Sequence, residues 1–301
     1  MSRVVVAGSS GFLGTQLREE LARRGHEVTA LVRRPARTGE STWNPYAGML
    51  DPDVIEAADV VVNLAGSPTF GNPHSRRWSQ RLHDSRVTTT RVLAETIAAS
   101  RRRPAYLAGN AVGWYGDHGS QRVGESADSR GHTLMTQVCR DWQDAARPAV
   151  EAGGRVAFLR TSPVIDRTNA PLKQLVPVFK AGLGARVGNG RQRMPMISLR
   201  DWLGSVLHLV EHDVDGPVNL TCPHPPTNAE FTDELARQVG RKPLLAVPGA
   251  AIRLGAGRLS PELLGSVDAR PDVLTAAGYE FRDPDVAAIL TAALARSSER
   301  A

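Results

Sequence analysis

Residues 3–7, centred on the β-branched run Val4-Val5-Val6, predict a buried strand. The run leads into Gly8-Ser9-Ser10-Gly11-Phe12-Leu13-Gly14. Leu13, Leu17 and Leu21 then recur every four residues, along one face of a predicted helix, and Gly25 stands where a C-cap glycine belongs. Residues 27–32 predict a second strand. Residues 58–64, centred on Val60-Val61-Val62, predict another buried one, and 105–108 and 155–160 two more. Between them, Val92, Leu93 and Ile97 mark 87–99 as helical. Strands and helices alternate at βαβ spacing, so the expected fold is α/β, a Rossmann doubly wound parallel sheet.

Past about residue 165 the pattern loosens. Residues 182–190 read as a flexible glycine-rich loop, and 201–211 as a helix capped by Asp201. Residues 218–220 read as a short strand. Asn228 is the expected cap of a helix carrying Phe231 and Leu235 on one face, and another helix follows Pro284. The division that follows is a dinucleotide-binding domain over 1–165, with 195–220 returning to it. The rest, 166–194 and 221–301, makes a smaller C-terminal α+β substrate domain.

The glycine loop carries the clearest chemistry, because it follows a β-branched strand and opens an amphipathic helix. Gly8 permits the sharp turn, Gly11 lets backbone approach a pyrophosphate, and Gly14 permits close helix–strand packing. The helix N-terminus then offers unpaired N–H groups to the anion. The second strand ends Leu31-Val32-Arg33-Arg34, with no acid to hold a ribose 2′-hydroxyl. Arg33 and Arg34 suit a 2′-phosphate instead, unless they are merely solvated, so the expected cofactor is NADP(H) rather than NAD(H).

Composition narrows the class. Hydrophobic residues are 41% of the chain and aromatics 5%, so the core must be mostly Ala, Val and Leu. The formal charge of +6 invites a nucleic-acid reading. Yet the arginines are scattered, without a basic block or interleaved aromatics, so no nucleic-acid partner is expected. Two cysteines, Cys139 and Cys222, are too few for a disulfide framework and read as reduced core thiols. No metal-ligand spacing is present, so no metal is expected. No apolar run approaches the roughly 18 residues of a membrane span. Val4-Val5-Val6 is too short for a signal peptide, so a cytoplasmic protein without a membrane partner is expected.

The spacing Gly8-x-x-Gly11-x-x-Gly14, with Asn63-Leu64-Ala65-Gly66 ending a later strand, resembles the extended and atypical short-chain dehydrogenase/reductases. Further matches are Trp43-Asn44-Pro45, Arg77-Trp78, Ser85-Arg86, 111–116, Cys139-Arg140-Asp141-Trp142, Arg160-Thr161, 188–192, Pro217-Val218-Asn219, 227–231 and 277–281. Together they cover nearly the whole chain. They are similar to the branch labelled NAD-dependent epimerase family protein or nucleoside-diphosphate-sugar epimerase. The resemblance implies that Gly8, Ser10, Gly11, Phe12, Leu13 and Gly14 line the pyrophosphate. It also implies that Arg33 and Arg34 meet the 2′-phosphate, and that Asn63, Leu64 and Ala65 pass near adenosine and ribose. Between Trp78 and Ser85 the chain is shorter than that branch by about one helical turn.

The catalytic set departs from the superfamily. Active members use Tyr-x-x-x-Lys with an upstream Ser, the Tyr hydroxyl exchanging a proton. None of the four tyrosines here, Tyr46, Tyr106, Tyr115 and Tyr279, has Lys four residues on. Matching the Cys139–Trp142 segment places Met135 at the Tyr position, Cys139 at the Lys position and Asn110 at the Ser position. Met exchanges no proton. Tyr115 is then the substitute acid or base, or else an aromatic packed against its loop. Asp117, His118 and Glu125 follow it in a polar loop expected near the cofactor, with His118 a proton exchanger or a solvated residue. Arg191 and Arg193 could hold an anionic substrate group or serve the structure. Two functions remain. One is an NADP(H)-binding oxidoreductase or epimerase acting on a small polar substrate, in a chain that could form a homodimer. The other is a dinucleotide-binding sensor or scaffold with little or no turnover.

Overall fold

The computed structural model describes residues 1–69, 71–243 and 245–295. The chain divides into two compact units. Unit one comprises Met1–Asn110, Gln137–Leu159 and Val206–Val218, and unit two Ala111–Thr136, Arg160–Ser205 and Asn219–Ala301.

Unit one is built on a seven-stranded sheet. Its strands are β1 (Arg3–Ala7), β2 (Glu27–Val32), β3 (Glu40–Thr42), β4 (Val60–Asn63), β5 (Ala105–Ala111), β6 (Val156–Thr161) and β7 (Gly216–Leu220). The order is β7-β6-β5-β4-β1-β2-β3, and the sheet is parallel, as a Rossmann fold requires. Val5 of β1 lies opposite Thr29 of β2 on one side and Val61 of β4 on the other, which is why β1 reads as an unbroken apolar run. The strand order reverses between β1 and β4. Their carboxyl ends therefore frame the crevice where ligands bind such sheets. Strand β3 escapes sequence reading because Glu-Ser-Thr is short and polar, as an edge strand can be.

Four helices matter for the site: α1 (Phe12–Arg23), α2 (Pro52–Glu56), α3 (Arg76–Ala99) and α4 (Leu134–Asp144). Helix α3 begins well before the expected residue 87, with the Ser75 hydroxyl accepting from Trp78 N–H as its cap. Its first half was illegible because the face it buries carries Ser79, Ser85 and Arg86 beside Leu82. Val5, Leu31, Trp43, Ile55, Val61, Leu93, Ile97, Tyr106 and Val156 join one core, each large apolar side chain contributing about 2 kcal/mol.

Unit two has its own core, with Leu172, Phe179, Met196, Phe231, Leu235, Ile289 and Leu290 among its members. Cys222 belongs to it, and burial pushes its thiol up to about 12, so it is inert. Three expectations are corrected here. The segment 182–190 is not wholly loop, because Ala185–Val187 pairs in parallel with Leu245–Val247. The helix Asn228–Gln238 is capped by Thr227, not Asn228: the Thr227 hydroxyl accepts from Glu230 N–H while the Glu230 carboxylate accepts from Thr227 N–H. The Asn228 side chain instead accepts from Val187 N–H at 2.8 Å. Asp201 does not cap its helix either. Ser198 Oγ takes the Asp201 N–H, and the Asp201 carboxylate accepts from Tyr279, Arg282 and Asp283.

Candidate dinucleotide site

The loop after β1 is shaped by contacts only glycine allows. Gly8 has φ +78°, and a Cβ on it would stand 2.5 Å from the Leu64 carbonyl carbon and 2.6 Å from Ala65 N. A Cβ on Gly14 would stand 2.2 Å from Gly8 O. Gly11 is different. Its Cβ would approach Gly8 O only to 3.4 Å, and the residue is exposed at the start of α1. No side chain caps α1, and no acid stands in its first turn, so its leading N–H groups keep their positive character for an outside anion. Ser10 is exposed beside Gly11, whereas Phe12 and Leu13 are half-buried and Gly14 is buried. This cradle fits a pyrophosphate.

The facing loop is held by Asn63. Its amide donates to Thr90 Oγ1 at 2.9 Å and to the Tyr106 hydroxyl at 3.2 Å, and its Oδ1 accepts from Ala65 N–H at 3.0 Å. Trp142 Nε1 donates to the same Thr90 Oγ1 at 2.8 Å. The Asn63 side chain therefore belongs to a buried network that fixes the turn, and the half-buried Leu64 and Ala65 present the surface above Gly8.

At the end of β2 the two arginines part company. Arg34 grips Glu40 of β3 with both Nη atoms at 2.7 Å and donates to Pro35 O. The Arg34 guanidinium and then Arg37 N–H hold the Glu40 carboxyl down to about 2. Arg33 is exposed and makes no ion pair with a described residue. Of the two cations expected at a 2′-phosphate, one is committed to an internal partner and one is available.

The residues expected to do chemistry occupy structural places. In unit one, Asn110 is buried and its amide donates to Cys139 O on α4 at 3.1 Å, with Cys139 itself buried. In unit two, Tyr115 is fully buried. Its hydroxyl donates to Asn219 Oδ1 at 2.7 Å and accepts from Arg160 Nη1 at 2.9 Å, and burial pushes its pKa up despite the nearby guanidinium. Arg160 stacks 3.6 Å from the Trp114 ring centre and also donates to Glu125 O. Glu125 Oε1 accepts from Asn219 and Val273 N–H, and burial raises its carboxyl. His118 is buried rather than solvated, with Nε2 3.1 Å from Asp128 O. Asp117 Oδ1 accepts from Gly119 N–H. Met135 is buried as well. Arg193 donates to Pro225 O and pairs with Glu230 at 3.6 Å, while Arg191 is exposed.

Helix α3 runs unbroken through the stretch that reads as short by one turn. There it borders a groove of about 530 Å³ lined by Tyr46, Arg77, Gln80, Arg81, Asp84 and Ser85. Sequence reading gave Arg86 no role, although it lies buried four residues after Leu82 on the inward face. An arginine at helical spacing from a leucine was the available signal. Among the described residues no group of three or more His, Cys, Asp or Glu could hold a metal ion, and no helix is long and apolar enough to cross a membrane.

A glycine cradle at the switch point of a parallel sheet, with a free arginine after β2, is the arrangement of a dinucleotide-binding Rossmann protein. The family model for the NAD dependent epimerase/dehydratase family matches residues 4–145, and that of a domain of unknown function, DUF1731, matches 247–293. Epimerase family protein ML0860 of Mycobacterium leprae is 40% identical over 98% of this chain and 97% of its own. Human epimerase family protein SDR39U1 is 31% identical over 96% of this chain and 98% of its own. The chain belongs to this epimerase family. A crystal structure of human SDR39U1 (isoform 2) with NADPH superposes with a TM-score of 0.86 at 28% identity, covering 97% of this chain and 98% of that one. A nucleoside-diphosphate sugar epimerase from Corynebacterium glutamicum gives 0.79 at 32% identity, covering 97% of this chain and 58% of that one.

Proposed function

We propose that unit one binds NADP(H) and that the chain uses it as an oxidoreductase or epimerase on a small polar molecule. The observation that carries this reading is the Gly8–Gly14 cradle against Leu64–Ala65, with Arg33 making no ion pair with a described residue at the end of β2 and the Glu40 carboxylate taken up by Arg34. The human relative solved with NADPH supports it. When bound, the nicotinamide supplies hydride transfer. The α1 N–H groups hold the pyrophosphate, Arg33 takes the 2′-phosphate, and Asn63 keeps the 63–65 turn in place. Arg34 acts indirectly by tying β2 to β3. Calorimetric titration tests the assignment. Arg33→Ala weakens NADPH binding by about 10- to 100-fold, the worth of a charge-assisted contact, and leaves NADH binding unchanged. Equal loss for both cofactors would remove Arg33 from the 2′-phosphate.

In this reading Tyr115 serves the interior of unit two and the reacting proton moves through another group or water. Tyr115→Phe strands a buried Arg160 N–H and Asn219 Oδ1, so the expected cost is about 2–4 kcal/mol of stability. NADPH affinity and any turnover of the folded protein stay within about twofold. A turnover loss of a hundredfold or more in the folded variant, about the worth of a general acid or base, would restore Tyr115 as the acid.

The burial of Met135 and Cys139, which stand where active relatives place Tyr and Lys, favours a second reading, a dinucleotide-binding sensor without turnover. Nicotinamide absorbance followed with carbonyl compounds and nucleotide sugars separates the two. Substrate-dependent change establishes the enzyme, and tight NADPH binding with none establishes the sensor.

A further inference from the structure

Arg86 is a cation without a counter-charge among the described residues. It is 8% exposed, and its nearest partners are neutral oxygens. Nη1 donates to Leu82 O at 3.0 Å and Ser67 O at 3.2 Å, and Nη2 to Thr69 Oγ1 at 3.1 Å. Among the described residues the buried Nε–H has no partner. A guanidinium carries five N–H bonds, so Nε–H and one Nη N–H remain after these three. Arg86 makes no ion pair with any described carboxylate. Burying a charge this way costs several kcal/mol, which a fold tolerates where an anion arrives.

Its surroundings place it at the crevice. A Cβ on Gly66 would stand 3.3 Å from the Arg86 guanidinium carbon. Gly66 directly follows Leu64–Ala65, the backbone that closes over Gly8. The guanidinium thus lies beside the loop leaving the carboxyl end of β4. On its other side it covers the Trp142 ring, 5.2 Å from the ring centre. Cys139, also buried, lies one turn earlier on α4.

We propose that Arg86 is an oxyanion receptor, whose Nε–H and remaining Nη N–H take a phosphate or carboxylate oxygen pair of a bound molecule. The planar fork matches either oxyanion in a bidentate manner. The oxyanion belongs either to the dinucleotide or to a second ligand. The inference rests on the cofactor reading only for that choice.

The test follows thermal unfolding of the full chain against inorganic phosphate, with chloride at matched ionic strength as the reference. It compares wild type, Arg86→Lys and Arg86→Gln. Specific binding gives a saturable rise in Tm. The expected result is a phosphate-dependent rise in wild type that Arg86→Gln lacks. Arg86→Lys, which offers a point charge in place of the fork, should need at least about tenfold more phosphate for it. Identical phosphate curves for all three overturn the proposal. If Arg86→Gln does not unfold cooperatively, an unchanged half-saturation in Arg86→Lys overturns it by itself. Repeating the wild-type titration under saturating NADPH assigns the source. Loss of the Arg86-dependent rise marks the dinucleotide's own phosphate, and its persistence marks the second ligand. The phosphate curves are read without cofactor, so a chain that failed to bind NADPH would sink the cofactor reading and leave this one standing.

Discussion

Gly14→Ala is expected to lower the melting temperature by roughly 5–10 °C and to weaken NADPH binding by a hundredfold or more, the first from about 3 kcal/mol of overpacking. Helix propensity alone predicts the opposite sign, since Ala is favoured over Gly by about 1 kcal/mol inside a helix. The contacts decide it. The new Cβ would lie 2.2 Å from Gly8 O, 2.8 Å from Ser9 Cα and 2.9 Å from Gly8 C, all backbone atoms with no rotamer to yield. The first turn of α1 must therefore shift off the 8–11 loop, and its N–H groups no longer converge on one anion. Gly11→Ala separates fold from binding. Its Cβ meets only Gly8 O at 3.4 Å, so the protein should melt near wild type, yet the methyl group occupies the space a pyrophosphate needs. A Gly11→Ala protein that binds NADPH as tightly as wild type would reduce the loop to a structural turn. A Gly14→Ala protein that melts at or above wild type would show that the close approach is not a constraint.

The glycine loop was legible because backbone geometry there admits one residue type, so residue identity reports conformation directly. The sheet was legible for a similar reason: strands buried on both faces leave unbroken runs such as Val4-Val5-Val6 and Val60-Val61-Val62. Legibility failed where a buried face is polar. The first half of α3 packs Ser79, Ser85 and Arg86 inward, which erases the helical period. It failed again where a charge is cancelled from a distance. The sequence displays Arg33 and Arg34 as equals, and only the return of β3 beside β2 brings Glu40 onto one of them. The sequence leaves Tyr115 either a substitute acid or base or an aromatic packed against its loop, because the groups that close on it, Arg160 and Asn219, are 45 and 104 residues away in the chain. Spacing motifs report what lies within a turn or two, whereas whether a side chain is available for chemistry depends on partners from remote segments.

Asp201 illustrates this at larger energetic scale. Its removal as Asp201→Ala is expected to cost about 3–5 kcal/mol and roughly 10 °C in Tm. Within unit two the carboxylate is fully buried and accepts at both oxygens. Oδ1 receives the Tyr279 hydroxyl at 3.0 Å and Arg282 N–H at 2.9 Å, and Oδ2 receives Asp283 N–H at 2.7 Å. One side chain near the start of the helix Leu199–Glu211 thus anchors the 279–283 segment, and Arg200 pairs with Asp283 beside it. Alanine leaves two backbone donors without their carboxylate acceptors, each worth about 1–3 kcal/mol when buried, and takes one acceptor from the Tyr279 hydroxyl, which keeps the Asp201 carbonyl at 3.2 Å. Asparagine distinguishes an acceptor pair from a generic polar contact. Whichever way its amide is turned, an NH₂ faces a backbone N–H that the carboxylate had satisfied, so Asp201→Asn should recover less than half of the loss. Calorimetric unfolding of wild type, Asp201→Asn and Asp201→Ala measures the series. If asparagine matches wild type, one acceptor oxygen suffices and the carboxylate pair is not what anchors the 279–283 segment.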